Sequence, residues 1–325
     1  MSENVRAVAP AQAGATATAP PGTAESPQVT PLRHPWRWVL AVGIIGAIAM
    51  LGIALYDNPN IDHATIAHYQ LSSTILIGVG TTVELAVISQ TIAIALGVVL
   101  AMARLSRNPV LALASRLYVW LLRGVPLLVQ ILVWGNFGVL FKHLVIGIPY
   151  THVALASFVT SNILTVLVAS VIALSTSEGA YMAEIVRAGI LSVDEGQKEA
   201  ALALGMTRTQ AMRRIVLPQA LKVIVPPTGN DFVTMLKNTS LVSVIAGGDL
   251  LTRAQDISAQ NLRTLELLFV ATVWYLVLTS LTGIIQARIE RRMARASSDV
   301  AAVTARRARV LSWRRPRLVW AGGRR

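Results

Sequence analysis

The side chains most able to bind a polar solute are a few ionisable and amide groups inside apolar stretches of the sequence. Glu84 is the only ionisable residue between positions 72 and 102, and Gln130 lies in an apolar stretch that Pro126 opens. A polar group inside a membrane costs free energy unless it faces a bundle interior or a water-filled cavity. We therefore predict that Glu84 and Gln130 line a path for a polar solute. A solvated position near the outer interface is an equally open interpretation for Glu84, and the role of Gln130 is also open.

A second polar group occurs where Asn230, Thr234 and Lys237 follow helical i, i+4, i+7 spacing. These side chains share one face of a predicted helix, and Asp231 lies beside them. Such a face could line a path for a zwitterionic solute, or hold the helices together through hydrogen bonds and a Lys–Asp pair. We predict the path role for Asn230 and Thr234 and the structural role for Asp231 and Lys237.

The residue types needed for catalysis or metal binding are absent or badly spaced. The sequence has no cysteine, so it offers no disulfide, thiolate ligand or cysteine nucleophile. It also has no Gly-x-x-x-x-Gly-Lys-Ser/Thr phosphate loop, no His-Glu-x-x-His helix and no Gly-x-Ser-x-Gly elbow. We predict no catalytic residue, no metal site and no bound cofactor, and the chain is not itself an ATPase. The histidines show no close zinc-type pairing: they are His34, His63, His68, His143 and His152.

Composition indicates an integral membrane protein. Of the residues, 54% are hydrophobic and 14% charged, and the mean hydropathy is +0.58, which excludes an ordinary soluble domain. A membrane-spanning helix needs about 20 mostly apolar residues. We predict an all-α integral membrane protein with six transmembrane helices. The first is an additional N-terminal helix at 36–57, and the others lie near 73–103, 119–141, 153–176, 221–246 and 266–287.

The basic residues predict how these helices are oriented. The connections at 104–123 and 187–222 are rich in arginine and lysine, and twelve arginines follow from Arg288 to Arg325. The loop at 57–72 has Asp57 and Asp62 but no Lys or Arg. The positive-inside rule therefore predicts that both termini and the 187–222 connection are cytoplasmic. Residues 1–35, rich in Ala, Pro, Thr and Gly, are predicted to be a disordered tail, and 291–325 a basic cytoplasmic tail.

A polar helix–turn–helix at 194–218 separates two apolar segments. Asp194 lies at the N-terminus of the first predicted helix, where the helix dipole favours an acid. Gly205 can adopt a positive φ and end that helix, and Thr207 is a plausible N-cap for a second helix. Pro218 is expected to end the second helix near Val216. The result is a compact two-helix knob that could dock into a groove of a partner and transmit a rigid-body push.

The sequence of this knob resembles the EAA signature loop of the type I ABC importer permeases. The residues that carry the likeness are Glu199, Ala200, Ala201, Gly205, Ile215, Leu217 and Pro218. Flanking segments at 123–130, 179–190 and 237–241 narrow the resemblance to the polar-amino-acid branch, which serves histidine, glutamine, arginine and glutamate systems. The likeness covers about 75–290, the predicted permease domain. Val125 and Ala188 depart mildly from it, because Thr and Gly are usual there.

The resemblance implies a non-catalytic subunit that moves polar amino acids across a bacterial inner membrane by alternating access. It implies that the seven knob residues contact the ATPase, and that ATP and Mg are used by two separate ATPase subunits. The other implied partners are a second permease chain, identical or paralogous, an extracytoplasmic solute-binding protein and membrane lipid. Two alternatives stay open. One is an importer of the same architecture for another small polar solute. The other is a membrane-anchored nucleic-acid or lipid-binding protein that acts through the arginine-rich tail, which explains the tail alone.

Overall fold

The computed structural model describes residues 36–147 and 154–312, and most of them are helical. The tail predicted to be disordered, at 1–35, and the last part of the basic tail, from 313, lie outside these residues. The elements in chain order are α1 (Trp36–Tyr56), α2 (His63–Gln70), α3 (Ser73–Arg104), α4 (Pro109–Gly124), α5 (Leu127–Gly135), α6 (Phe137–Leu140), β1 (His143–Gly147), β2 (Ala154–Val159), α7 (Thr160–Ile163), α8 (Val166–Leu191), α9 (Glu195–Ala203), α10 (Arg208–Ala211), a π-helix (Met212–Val216), α11 (Leu217–Asn238), a 3₁₀ helix (Thr239–Ile245), α12 (Leu250–Asn261) and α13 (Thr264–Ser312).

The long apolar helices confirm a helical membrane protein. Within the described ranges, α1, α3, α8 and residues 264–293 of α13 are each long and apolar enough to cross a membrane. The helices α4 and α5 make a further candidate span only if they count together, since they meet at a bend of 98°. The helix α11 is not among these candidate membrane spans, because Lys222, Asp231 and Lys237 interrupt its apolar residues. The total of six spans therefore stays a prediction.

The chain divides into two compact units, residues 1–59 and 60–325. In the described part of the first unit, α1 is an apolar helix of 21 residues with no buried residue. The second unit contains all the remaining elements.

The span predicted near 119–141 is divided among the end of α4, α5 and α6, and Pro126 explains the break between α4 and α5. Because proline has no N–H, the carbonyl group of Leu122 lacks its usual helical donor. The Gln130 side chain supplies one: Nε2 donates to the carbonyl oxygens of Leu122 and Val125, at 2.9 Å in each case. Gln130 is 6% exposed. Its amide group therefore stabilises the bend between α4 and α5.

The span predicted near 153–176 is wrong in its first part. Residues 154–159 form β2, which pairs with β1 in a two-stranded antiparallel sheet with His143 opposite Val159 and Val145 opposite Ser157. The long helix α8 begins only at Val166, where the Thr165 hydroxyl oxygen accepts from the N–H of Val168. An apolar run of this length is ambiguous between strand and helix, because both bury apolar residues.

The second unit is built around α3 and α8, which pack along much of their length. Gly97 allows their closest approach, since a Cβ there would lie 2.5 Å from the Met182 Cβ and 2.9 Å from its carbonyl carbon. Small residues permit such close helix contacts in membranes. The central core is formed where these two helices meet α5 and α11, and its large buried residues are Leu85, Ile131, Leu174, Met235 and Leu236.

The two ends of this bundle differ in chemistry. At one end, which we call the knob end, α3 and α8 finish and α11 begins. At the opposite end, Arg263 pairs with Glu266 at 3.5 Å and with Asp62 at 3.8 Å. The Trp274 indole N–H donates to the carbonyl oxygen of Gln70 at 2.8 Å. These bonds attach α2 to the first turns of α13.

Candidate functional site

The knob, residues 194–218, has well-defined helix caps. The Asp194 carboxylate accepts from the N–H of Gly196 at 2.7 Å and caps α9. After α9, Gly205 has φ +83°, its N–H donates to the carbonyl of Leu202 at 3.0 Å, and the N–H of Met206 donates to that of Ala201 at 3.1 Å. This pair of bonds is a Schellman motif. It closes α9 and turns the chain towards α10.

The second helix of the knob starts with a reciprocal cap and continues into the membrane helix. The Thr207 hydroxyl accepts from the N–H of Gln210 at 3.2 Å, and the Gln210 side chain accepts from the N–H of Thr207 at 2.9 Å. The π-helix then leads directly into α11. The expectation that Pro218 ends this helix is wrong, because Pro218 lies in the first turn of α11. The proline is accommodated where the helix changes type, because the Leu217 N–H still donates in the π pattern to the Met212 carbonyl oxygen and the α-helical pattern begins with the turn that contains Pro218.

The seven predicted coupling residues divide between the inside and the surface of the knob. Ala201 is buried, as are Ala211 and Val216, which hold α9 against the second helix. Glu199, Ala200, Gly205, Leu217 and Pro218 are exposed, and Ile215 is half-buried. The neighbouring Leu204 is 85% exposed. Five of the seven predicted coupling residues are therefore on the surface of the knob, where a partner protein could contact them.

A charged cluster joins α3 to α8 at the knob end. The Glu184 carboxylate binds the guanidinium groups of both Arg104 and Arg187, the latter at 2.8 Å. The side chains are 22–31% exposed. Because Arg104 belongs to α3 and Glu184 to α8, their ion pair fixes the end of α8 on α3 at the point where α8 approaches the knob.

A cavity of about 460 Å³ opens between the bend of α4 and α5, α8 and α11. Glu178 from α8 and Asp231 from α11 face each other in it, with their carboxyl groups side by side. Glu178 is 8% exposed. The Glu178 Oε1 and Asp231 Oδ2 atoms are buried and accept no hydrogen bond from any described group. Two carboxyl groups this close cannot both be charged cheaply, so the pair must share a proton or bind a cation or hydrogen-bond donor.

Other side chains give the cavity a polar and an aromatic wall. Tyr181, Ser177 and Thr234 line it, and the Arg123 guanidinium lies 4.9 Å from the centre of the Tyr181 ring. Arg123 therefore makes a cation–π contact, and it forms no ion pair among the described residues. The cavity thus offers two acidic groups, a cation, an aromatic ring and hydroxyl groups, a set that matches the charges of an amino acid.

The predicted path residues are not all in this cavity. Thr234 lines it, and Asn230, one turn earlier, is exposed and accepts the Thr234 hydroxyl on its carbonyl oxygen at 3.2 Å. Glu84 is exposed on α3 and does not line the cavity. Gln130 is bonded into the nearby bend and donates weakly to the Ser177 hydroxyl at 3.5 Å. A path role for Glu84, Gln130 and Asn230 stays a prediction.

The expected pair between Lys237 and Asp231 is wrong. The ion pairs of the described residues do not include it, and Lys237 is exposed. Asp231 is turned towards Glu178 instead, because the two positions are six residues apart and lie on different faces of α11. Sequence reasoning missed Glu178. Its signal was an acidic residue within the small-residue run Ser175–Ala180, just past the predicted end of the span.

In the described ranges, no group of three His, Asp or Glu side chains is arranged to hold a metal ion.

Comparisons with known proteins identify the family. The sequence profile of the family described as "Binding-protein-dependent transport system inner membrane component" matches residues 93–295. The chain is 38% identical over 272 residues to the arginine transport system permease protein ArgU of Corynebacterium glutamicum, covering 83% of this chain and 84% of that protein. It is 35% identical to the glutamine transport system permease protein GlnP of Escherichia coli, covering 54% of this chain and 73% of that protein.

Solved structures agree in fold. The crystal structure of an amino acid ABC transporter with histidines superposes with a TM-score of 0.61 and 34% identity, over 71% of this chain and 99% of that chain. The MetNI methionine ABC transporter superposes with a TM-score of 0.54 at 18% identity, which concerns the fold alone. Since the family profile covers more than half of the sequence and the ArgU likeness most of it, the chain belongs to the family of inner membrane components of binding-protein-dependent transport systems.

Proposed function

We propose that this chain is the permease subunit of an ATP-driven importer and that its cargo is a polar amino acid, with a cationic side chain preferred. Family membership and the arginine and glutamine permeases among its relatives support the cargo class. The observation that carries the preference for a cation is the close pair of carboxyl groups of Glu178 and Asp231, which presents two buried oxygens that accept no hydrogen bond from other described side chains. A guanidinium or ammonium group would satisfy both carboxylates.

The proposed assembly contains a second permease chain, two ATPase subunits and an extracytoplasmic solute-binding protein. ATP and Mg belong to the ATPase subunits, and this chain binds neither. We place it in a bacterial inner membrane with the knob end and both termini in the cytoplasm, as the basic connections and tail indicate. The additional helix α1 and the tail from 291 lie outside the permease domain proper, near 75–290.

The proposed mechanism follows from the connectivity of the knob. The knob joins the end of α8 to the start of α11, and these helices carry Glu178 and Asp231 respectively. When the ATPase subunits close, they would displace the knob through Glu199, Leu204 and their neighbours. Displacing α8 relative to α11 would separate the two carboxyl groups. The cavity would then bind a cation well in one state and poorly in the other, which alternating access requires.

The cargo is tested by uptake into proteoliposomes that contain the complete transporter. Asp231→Asn and Glu178→Gln should lower arginine uptake at least about tenfold more than glutamine uptake, because a hydrogen bond to a charged group contributes about 1.5–3 kcal/mol. An equal loss for both solutes would mean that the pair is structural. Unchanged arginine uptake would remove the pair from the path.

Glu84→Gln is a separate test of the open prediction for Glu84, since it removes one carboxylate from an exposed position on α3. If Glu84 is solvated near the outer interface, uptake kinetics and selectivity should be unchanged. A change in selectivity would assign Glu84 to the path.

The tail-based alternative is separated by truncation. Removing residues after 295 should leave transport intact under the proposed function. If the truncated chain lost its function while remaining inserted, a nucleic-acid or lipid-binding role of the tail would be favoured instead.

A further inference from the structure

A second concavity, of about 370 Å³, lies on a different face of α11 from Asp231. Its walls are α11 and α13, and its floor is α3. Its apolar lining residues are Val225 and Phe232 from α11, Ile285 and Ile289 from α13, and Ile94 from α3. Gly229 and the polar residues Gln90, Thr228, Thr282, Gln286 and Glu290 complete the lining. We call this concavity the groove.

The polar side chains in the walls of the groove are hydrogen-bonded to the protein, mostly within their own helices, and the Gln286 amide also donates to the Pro226 carbonyl oxygen of α11 at 3.4 Å. The Thr228 hydroxyl donates to the carbonyl oxygen of Ile224, and the Thr282 hydroxyl to that of Leu278, both at 2.8 Å. The Gln286 amide donates to the Glu290 carboxylate at 2.9 Å. These walls therefore present mainly methyl and methylene groups, and they are suited to a hydrocarbon chain rather than to a polar solute.

Positive charge is concentrated where the groove reaches the knob end. Lys222 precedes Val225 by three residues, and Arg288 and Arg292 follow Ile285 and Ile289 by three. Because α11 runs away from the knob end and α13 runs towards it, Lys222 and Arg292 lie beyond the lining residues at the knob end, whereas Arg288 lies between Ile285 and Ile289. All three are exposed, and the ion pairs of the described ranges include none of them. Glu290, the acidic group of the groove, is already bonded to Gln286.

We propose that the groove binds an acyl chain of an anionic phospholipid, whose phosphate is held by Lys222 and Arg292, with Arg288 beside them. Basic side chains next to a membrane attract anionic headgroups, and the apolar walls lie directly below these charges. A second copy of this chain fits the groove less well, because it would bring the same positive charges to this mouth.

The test uses the full-length chain reconstituted into phosphatidylcholine vesicles that contain a trace of photoactivatable lipid with a diazirine in its acyl chain. Phosphatidylglycerol and phosphatidylcholine probes are compared, and labelled peptides are mapped by mass spectrometry. Peptides of α11 and α13 around Phe232 and Ile285 should be labelled roughly thirtyfold more by the anionic probe, the size of effect expected for two basic groups that each contribute about 1 kcal/mol.

Charge variants test whether the anionic headgroup binds at Lys222 and Arg292. The double variant K222Q/R292Q should reduce anionic labelling of the groove to the phosphatidylcholine level, and the charge-retaining K222R/R292K should preserve it. The matched control R107Q/R116Q removes the same charge from exposed positions in the 104–123 connection, and it should leave labelling unchanged. Equal labelling by both probes, or equal loss in the two neutralised variants, would overturn the proposal.

The chain has no cysteine, so a single Ile285→Cys variant reports on the rival occupant. Oxidation in vesicles should leave this variant monomeric on a denaturing gel. A disulfide-linked dimer would show that a second copy covers the groove, and the lipid proposal would be wrong.

Discussion

Replacing Gly205 should uncouple the knob through the backbone rather than through steric contact. Gly205 has φ +83°, yet a Cβ at this position would meet nothing within 4 Å. A non-glycine residue in the left-handed region costs about 1–2 kcal/mol, and a β-branched residue is a more severe outlier. Asparagine tolerates this conformation far better. Gly205→Val and Gly205→Asn therefore add side chains of similar size with different backbone costs.

The expected magnitude follows from the Schellman motif. A penalty of about 2 kcal/mol reduces the population of the native turn about 30-fold relative to turns with negative φ. Such turns break the bonds from Gly205 and Met206 to the end of α9, and they change the angle between α9 and α10. Helices α3 and α8 do not depend on this turn, so membrane insertion should be unaffected.

The assay measures three quantities for each variant: chain inserted in the membrane, ATPase co-purified with it, and solute-stimulated ATP hydrolysis. Gly205→Val should lose the second and third while keeping the first, and Gly205→Asn should retain most of all three. If both variants lost the ATPase equally, side-chain volume at a docking surface would be responsible, and the backbone argument would be refuted. If Gly205→Val kept both ATPase readouts, the knob would not be the coupling element.

Three further changes address packing and charge. Gly97→Ala should lower the free energy of unfolding, measured by thermal melts, by about 1–3 kcal/mol because the α3–α8 contact has no room for a methyl group. The control Gly283→Ala, whose added Cβ meets no atom within 4 Å, should be neutral. Equal losses of stability in the two variants would contradict this prediction. Glu184→Gln should lower the free energy of unfolding by about 1 kcal/mol, the scale of a partly exposed ion pair. Glu184→Asp keeps the charge and should lose less. If the Gln variant were as stable as the unchanged protein, the ion pair would not be stabilising. The hydrogen bond from the Thr65 hydroxyl lowers the pKa of Asp62 below its ordinary value of 3.8. Asp62 therefore adds stability above that value, and this is lost as the pH falls through the lowered pKa. Asp62→Asn should flatten the acid limb of the melting profile, and an unchanged limb would contradict the assignment.

The features of the knob that depend on neighbouring residues could be predicted from sequence. Asp194, Gly205 and Thr207 have the predicted cap positions, because a helix cap is a bond between groups two to five residues apart. Pro218 was misjudged because the same residue that breaks a helix interior is acceptable in a first turn. The rule that proline breaks a helix interior is correct, but the sequence did not show at which residue α11 begins.

The cavity could not be predicted from the sequence, because it is formed by residues that are far apart in the chain. Glu178 and Asp231 are 53 positions apart, and their proximity follows from how α8 and α11 pack. The helical spacing of Asn230, Thr234 and Lys237 was read correctly as one face, but only Thr234 of these three reaches the cavity. The bend at Pro126 had a visible sequence cause, whereas the use of Gln130 to satisfy its carbonyl groups required the three-dimensional arrangement.

The π-helix at Met212–Val216 contains one residue more per turn than an α-helix needs. The extra residue determines the rotation of α11 about the helix axis relative to α10. Deleting one residue from this stretch would restore α-helical geometry and rotate α11 by about 100° relative to α9 and α10. That angle is close to the spacing between the face that carries Asp231 and the face that lines the groove. The number of residues in this single turn therefore sets the rotation of α11 relative to the knob. That rotation determines which face of α11 is directed at Glu178.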